Sequence, residues 1–156
     1  MKDFINSYLK EAAIIASSID QNEIADVANK LIETRNNEGR VFFIGVGGSA
    51  GNASHAVNDF RKLCGIECYC PSDNVSELTA RTNDEGWDTI FSAWLKVSRL
   101  TNKDLIFVLS VGGGSLEHNI SPGIVRALEY AKQEKASIVG IVGKDNGYTR
   151  KVADAS

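Results

Sequence analysis

Three short, unbroken apolar runs constrain this chain most: Val41-Phe42-Phe43-Ile44, Leu105-Ile106-Phe107-Val108-Leu109 and Ile138-Val139-Gly140-Ile141-Val142. Each has the length of a strand, and none alternates apolar with polar residues. A strand without a polar face has to be covered on both sides, as in a parallel sheet. Ile66 to Cys70 makes a weaker fourth run. Helical patterns over Ala50 to Leu63, Trp87 to Leu100 and Pro122 to Lys135 lie between the runs. Strands alternating with helices predict an α/β fold, a doubly wound parallel sheet with helices on both faces and right-handed connections.

Two amphipathic segments precede the first strand. Phe4, Ile5, Tyr8, Leu9, Ala12, Ile15 and Ala16 fall at helical spacing over Asp3 to Ser18. Asp20 is placed to cap a second helix, with Glu23 at the capping-box position and Gly39 as the stop signal. Its apolar positions are Ile24, Val27, Ala28, Leu31 and Ile32. One small sheet can hardly bury both stripes, so part of this surface is expected to meet another subunit. The length of 156 residues predicts one domain, with 1–38 as a helical pair and 39–156 as the α/β core. Lys151 to Ser156 reads as the approach to another strand, so a further strand and helix are expected beyond it.

The net charge of −3 argues against a broad nucleic-acid surface. No apolar run approaches the roughly 20 residues that cross a bilayer, and Met1 to Ile5 does not read as a signal peptide. Three cysteines, an odd number, point to reduced thiols and a cytoplasmic location. Cys68 and Cys70 would share one strand face as packing thiols.

The first strand runs into Gly45-Val46-Gly47-Gly48-Ser49-Ala50-Gly51-Asn52 and then a helix. Glycines admit a ligand close to the backbone, and a helix N-terminus attracts anions. Ser49 can cap the helix or donate to a phosphate oxygen. The loop lacks the Walker lysine and is not a complete G-x-G-x-x-G, so no nucleotide cofactor is expected. The second strand runs into Ser110-Val111-Gly112-Gly113-Gly114-Ser115, with a helix starting at Ser121-Pro122. Two Gly/Ser loops at carboxyl ends of strands point to an anionic, hydroxyl-rich ligand such as a sugar phosphate. Gly143 to Gly147 reads as a turn.

His55 and Asp59, four residues apart, lie on one helical face just beyond the first loop. Such a pair can ligate a divalent metal, work as an acid/base pair, or make a surface hydrogen bond. In the polar segment Thr82 to Trp87, Asp84 is either a helix cap or, with Asn83, a group reaching the sugar. Trp87 and Trp94 read as core or interface, and His118 as a solvated loop residue.

Together these motifs resemble the sugar-isomerase (SIS) domain family, and within it the phosphoheptose isomerases. The resemblance covers nearly the whole chain. It rests on Gly45 to Ala50, His55, Asp59, Asp73 to Ala80, Asn83-Asp84, Ser110 to Ser115 and Val142 to Asp145. It implies conversion of sedoheptulose 7-phosphate to an aldose heptose 7-phosphate, the first step toward nucleotide-activated heptose for surface polysaccharide. It implies a homotetramer with the N-terminal helices at its centre and, in some members, an active-site zinc, here on His55 and Asp59. Asp59 would be the catalytic base. Gly48, Ser49, Asn83, Asp84, Ser110, Gly113, Gly114 and Ser115 would bind substrate.

Several positions depart from the family pattern. Val46 stands where the family loop has Asn, Asp59 replaces a Glu, and Val111 to Gly114 lose two hydroxyl donors. A second catalytic group, a His with a nearby Gln, is expected beyond Ser156. The altered loop keeps open the alternative of a non-catalytic SIS protein, either a protein-binding factor of the kind that associates with a replication initiator or a sugar-phosphate sensor.

Overall fold

The computed structural model describes residues 1–156. Two helices lead, α1 (Lys2–Ser18) and α2 (Gln21–Asn36). The core follows as β1 (Val41–Gly45), α3 (Gly48–Cys64), β2 (Cys68–Tyr69), α4 (Val75–Glu85), a 3-10 turn (Trp87–Thr89), α5 (Ile90–Val97), β3 (Leu105–Ser110), α6 (Pro122–Glu134), β4 (Ser137–Val142) and α7 (Tyr148–Val152). The strands form one sheet in the order β2-β1-β3-β4, all parallel. Ala155 makes a further parallel bridge to Val139 on the outer edge of β4. The doubly wound α/β reading therefore holds.

Both sheet faces are covered, which is why the three apolar runs carry no polar alternation. Phe42, Ile44, Ile106, Val108 and Ile138 point to one side and pack under α5 and α6, with Leu78 of α4 at the margin. Val41, Phe43, Leu105, Phe107 and Val139 point to the other, against α2 and α3. Cys68 and Cys70 join this second cluster, and burial pushes the Cys68 thiol up to about 12. A thiol so far from ionising behaves as a small hydrophobe. The two leading helices part company. Val27 and Leu31 of α2 cover the sheet, whereas α1 has no buried residue and Phe4, Tyr8, Leu9 and Ile15 stay exposed.

Local details differ from the sequence reading. The segment before Trp87 is helical: Thr82 to Glu85 form the last turn of α4, so Asp84 caps nothing. Asn74 is the cap there, its side chain accepting from the Ser76 and Glu77 amides. The expected helix over Trp87 to Leu100 is a 3-10 turn followed by a shorter α-helix. It stops at Arg99, which turns left-handed (φ 52°) while the Leu100 amide bonds back to the Leu95 carbonyl. Asp20 does cap α2 through the Asn22 amide, but Glu23 turns away to pair with Arg150. Gly39 follows α2 for a reason other than chain reversal. Glu38 takes the left-handed conformation, and a Cβ on Gly39 would lie 1.9 Å from the Lys103 carbonyl oxygen.

The amino ends of the strands are tied by one carboxylate. Asp104 is 2 % exposed and precedes β3. Its Oδ1 accepts from the Arg40 backbone amide (2.9 Å) and Nε (3.1 Å). Its Oδ2 accepts from Arg40 Nη2 (2.7 Å) and from the Thr101 amide and hydroxyl (2.8 and 3.0 Å). Burial alone pushes this carboxyl up, but the bonds from Arg40 and Thr101, with the guanidinium charge, outweigh it and hold the pKa below its ordinary value.

Asp104→Asn should lower the unfolding free energy by about 3 kcal/mol near neutrality, because it leaves the Arg40 guanidinium without its anion. A group whose folded pKa is depressed stabilises above its unfolded pKa and ceases to as pH falls through the folded value. The difference between wild type and variant in urea titrations should therefore shrink as pH drops below about 4. A deficit unchanged between neutrality and acid would refute this role.

Candidate functional site

The site is built where β1 and β3 end side by side. Gly45 pairs with Leu109, so the loops that follow leave the sheet next to each other. The strand order reverses at this point: β1 and β2 are linked through α3 on one face, while β3 leads to α6 on the other. Ligands of open α/β sheets bind at such switch points.

The β1 loop is open. Gly47 starts α3 at φ 62° with no side-chain cap, so Ser49 is not the cap and its hydroxyl is uncommitted there. A Cβ at Gly47 or Gly48 would meet nothing within 4 Å, which leaves room for a ligand oxygen against the backbone.

The β3 loop is closed upon itself and upon its neighbour. Ser110 Oγ accepts from the Gly113 amide at 3.0 Å, and Ser115 Oγ accepts from the His118 amide at 3.3 Å. Ser115 and Ile120 exchange two backbone bonds of 2.8 Å, forming a small antiparallel bridge. Ser121 enters α6 left-handed (φ 44°) without capping it. Gly113 and Gly114 are buried, and their carbonyls accept from the Thr149 and Tyr148 amides at 2.9 and 2.8 Å. The Gly113 amide is thus engaged by Ser110 within the loop. The turn over Gly143–Gly147 is packed onto the loop. A Cβ at Gly147 would lie 2.4 Å from the Gly112 carbonyl oxygen.

His55 Nε2 and Asp59 Oδ2 are 3.3 Å apart on α3, with side chains 76 % and 45 % exposed. The other oxygen, Oδ1, accepts from Asn58 Nδ2 at 3.0 Å. Asn58 was not singled out in the sequence, where only its adjacency to Asp59 marked it. Along α3 the pair lies well beyond the loop, about 10 Å of helix rise from Gly48 to His55 and about 16 Å to Asp59. No third His, Cys, Asp or Glu gathers with the two. Catalytic zinc takes three protein ligands, so this pair alone does not fit a complete zinc site.

Asn83 and Asp84 bond to each other at 2.7 Å and to neither Gly/Ser loop. The adjoining 3-10 turn nevertheless abuts the start of α6, where a Cβ on Gly123 would lie 3.2 Å from the Trp87 carbonyl oxygen. Trp94 packs edge-on to Phe42 as a core residue, while Trp87 stays 40 % exposed beside Phe91. His118 and Ser115 line a cleft of about 540 Å³ between the β3 loop and the turn after β4, together with Lys144 and Lys151. A separate cavity of about 610 Å³ lies beside α2 and β4 and touches neither Gly/Ser loop. No helix is long and apolar enough to cross a membrane.

Known proteins share this fold. The chain is 30% identical to a phosphoheptose isomerase of Trichlorobacter lovleyi, in an alignment that covers 99% of this chain and 79% of the relative. A phosphoheptose isomerase structure from Francisella tularensis superposes with a TM-score of 0.83 at 23% identity, over 97% of this chain and 79% of that one. One from Neisseria gonorrhoeae gives 0.83 at 22% identity, over 99% and 83%. These two likenesses speak to the fold. The SIS domain model matches residues 7–143, nearly the whole of the core just described, and the chain belongs to the SIS domain family.

Proposed function

We propose that this protein is a ketose–aldose isomerase acting on a phosphorylated sugar, and that it converts sedoheptulose 7-phosphate to D-glycero-D-manno-heptose 7-phosphate. The observation that carries this reading is the His55–Asp59 pair, on a helix that starts at an open glycine loop. Likeness to relatives named phosphoheptose isomerase along 99% of the chain supports the substrate class. The separation of the pair from the loop suits a long substrate, with its phosphate near the strand ends and its reacting carbons toward the pair.

Asp59 acts as the base. It takes a proton from C1 of the ketose, the C–H electron pair becomes the C1=C2 bond of an enediol, and the C2 carbonyl oxygen takes a proton from water. Return of the proton held on Asp59 to C2, with loss of the O1 proton to water, leaves the aldehyde at C1. Asn58 donates to one carboxylate oxygen and His55 Nε2 lies 3.3 Å from the other, which biases the orientation of the base. His55 is thus a positioning residue, and no step is routed through a metal.

Asp59→Asn should cut turnover at least ~100-fold, because a neutral amide of the same size cannot accept the proton. His55→Ala should reduce turnover less and alter its pH profile, as expected of a group that orients the base. Coupled detection of the aldose product checks both. Wild-type turnover in both variants at saturating substrate would remove the isomerase reading and bring forward a non-catalytic SIS protein.

The bare apolar stripe of α1 supports a second inference, a homo-oligomer, read as a tetramer with α1 helices at its centre. Phe4 is 70 % exposed and Leu9 60 %, which is costly for a lone chain in water. Light scattering at micromolar concentration should return the mass of four chains. A species near 16.9 kDa would exclude it.

A further inference from the structure

We propose that Thr149, the second residue of α7, is a positioning residue for the ligand. Its hydroxyl holds the peptide between Gly113 and Gly114 in the orientation that leaves the Gly114 amide free for a phosphoryl oxygen. This rests on the sugar-phosphate reading and names a group behind the β3 loop on which binding of that ligand depends.

The buried polar side chains are those of Thr34, Asp104 and Thr149. Thr34 bonds back to Lys30 within α2, and Asp104 ties the strand starts. Thr149 alone of these serves the carboxyl end of the sheet. It is 0 % exposed, and its hydroxyl and its amide both donate to the Gly113 carbonyl, at 2.8 and 2.9 Å. Its methyl group lies against β4, where a Cβ on Gly140 would fall 2.8 Å from Thr149 Cγ2. The side chain is thus wedged between β4 and the β3 loop, with its donor on the loop.

The peptide it holds is one that would otherwise turn. Both residues flanking it are glycines, Gly113 at φ 68° and Gly114 at φ 83°, and glycine rotates at little steric cost. A trans peptide points its C=O and its N–H in opposite directions. With the Gly113 carbonyl drawn toward α7, the Gly114 amide therefore points away from α7. That amide donates to no group of the chain. Its neighbours are both engaged, the Gly113 amide by Ser110 Oγ at 3.0 Å and the Ser115 amide by the Ile120 carbonyl at 2.8 Å. Gly114 is buried, yet it borders open space in front of the loop. A buried amide without an acceptor is rare, and an anionic oxygen supplies a strong one. Rotation of the peptide would swing this amide toward α7 and put a carbonyl oxygen, with its partial negative charge, in its place. Thr149 opposes the rotation with two bonds to one oxygen, and without the hydroxyl a single bond remains. The fraction of chains with the amide presented then falls, and the apparent affinity falls with it.

The test is calorimetric titration of the wild-type chain, Thr149→Val and Thr149→Ser with inorganic phosphate and with sedoheptulose 7-phosphate, beside amide NMR of Gly114 in the wild type. Val keeps the shape of Thr and its backbone donor, so the variant should fold, which its circular dichroism and melting curve verify. Thr149→Val should bind both ligands about fivefold more weakly, the worth of one hydrogen bond. Thr149→Ser keeps the hydroxyl and should bind nearly as the wild type does, although loss of the methyl beside Gly140 lowers its melting temperature. In the wild type the Gly114 amide proton should move downfield as either ligand binds. Wild-type affinity in Thr149→Val, or a Gly114 resonance that stays still while phosphate binds, would overturn the proposal and leave the isomerase reading standing. Weaker binding in both variants, in step with their melting temperatures, would make Thr149 a structural residue only and overturn it as well. Hydroxyl-dependent binding of inorganic phosphate without any binding of the sugar phosphate would keep the role of Thr149 and remove the substrate assignment. No binding of either ligand to the wild type would remove both.

Discussion

Asp104 is the point from which the geometry of the sheet follows. It lies under the sheet at the entry to β3, and its two oxygens accept from the start of β1 through Arg40 and from the end of the α5 connection through Thr101. Its own carbonyl accepts from Ser137 at the start of β4 (3.0 Å), and the Arg40 carbonyl accepts from Leu105 (2.9 Å). Three strands thus begin at one hydrogen-bonded knot. Their registers are set at the amino ends, and with near-equal lengths their carboxyl ends emerge level. The loops that carry the chemistry can then be short and still meet.

At the other end of the sheet, glycine has two distinct uses. In the β1 loop it leaves space, since nothing stands where side chains at Gly47 and Gly48 would project. In the β3 loop it removes space, since Gly113 and the facing Gly147 let two backbones touch. The first arrangement admits a ligand, and the second makes a rigid wall for a neighbouring cleft. A single sequence texture, glycine and serine after a strand, therefore covers two different physical roles. The hydroxyls follow the same division: Ser49 is uncommitted as a helix cap, whereas Ser110 and Ser115 accept bonds within their own loop.

Much of this was legible in the residues, and the exceptions are instructive. The apolar runs located β1, β3 and β4, because only strands covered on both faces can lack a polar alternation. The i,i+4 spacing placed His55 and Asp59 together, because helical pitch is local. Helix α4 was missed because its apolar signal is thin, with Leu78 reaching the core but no residue fully buried, and because Asn74 announces it only through its capping geometry. Arg99 gave no sign of ending α5, since a left-handed conformation at a non-glycine residue is imposed by the hydrogen bonds around it. Glu23 had a sound local role in a capping box, and a partner 127 positions away, Arg150, outcompeted it.

Taken alone, the sequence determined the features that depend on neighbours a few positions apart: the alternation of strands and helices, the faces they bury, the glycine-rich turns and the His55–Asp59 pair. It also carried the likeness to the SIS domain family, because those local features recur at fixed intervals along the chain. Tertiary structure alone decided which groups remain free. Folding spends the Gly113 amide on Ser110 and Arg150 on Glu23, leaves Lys144 and Lys151 unpaired beside the same loop, and leaves α1 with its apolar face bare. The physical reason is that hydrogen-bond and charge partners are chosen by distance in space, and that distance exists only once the strands have been set side by side.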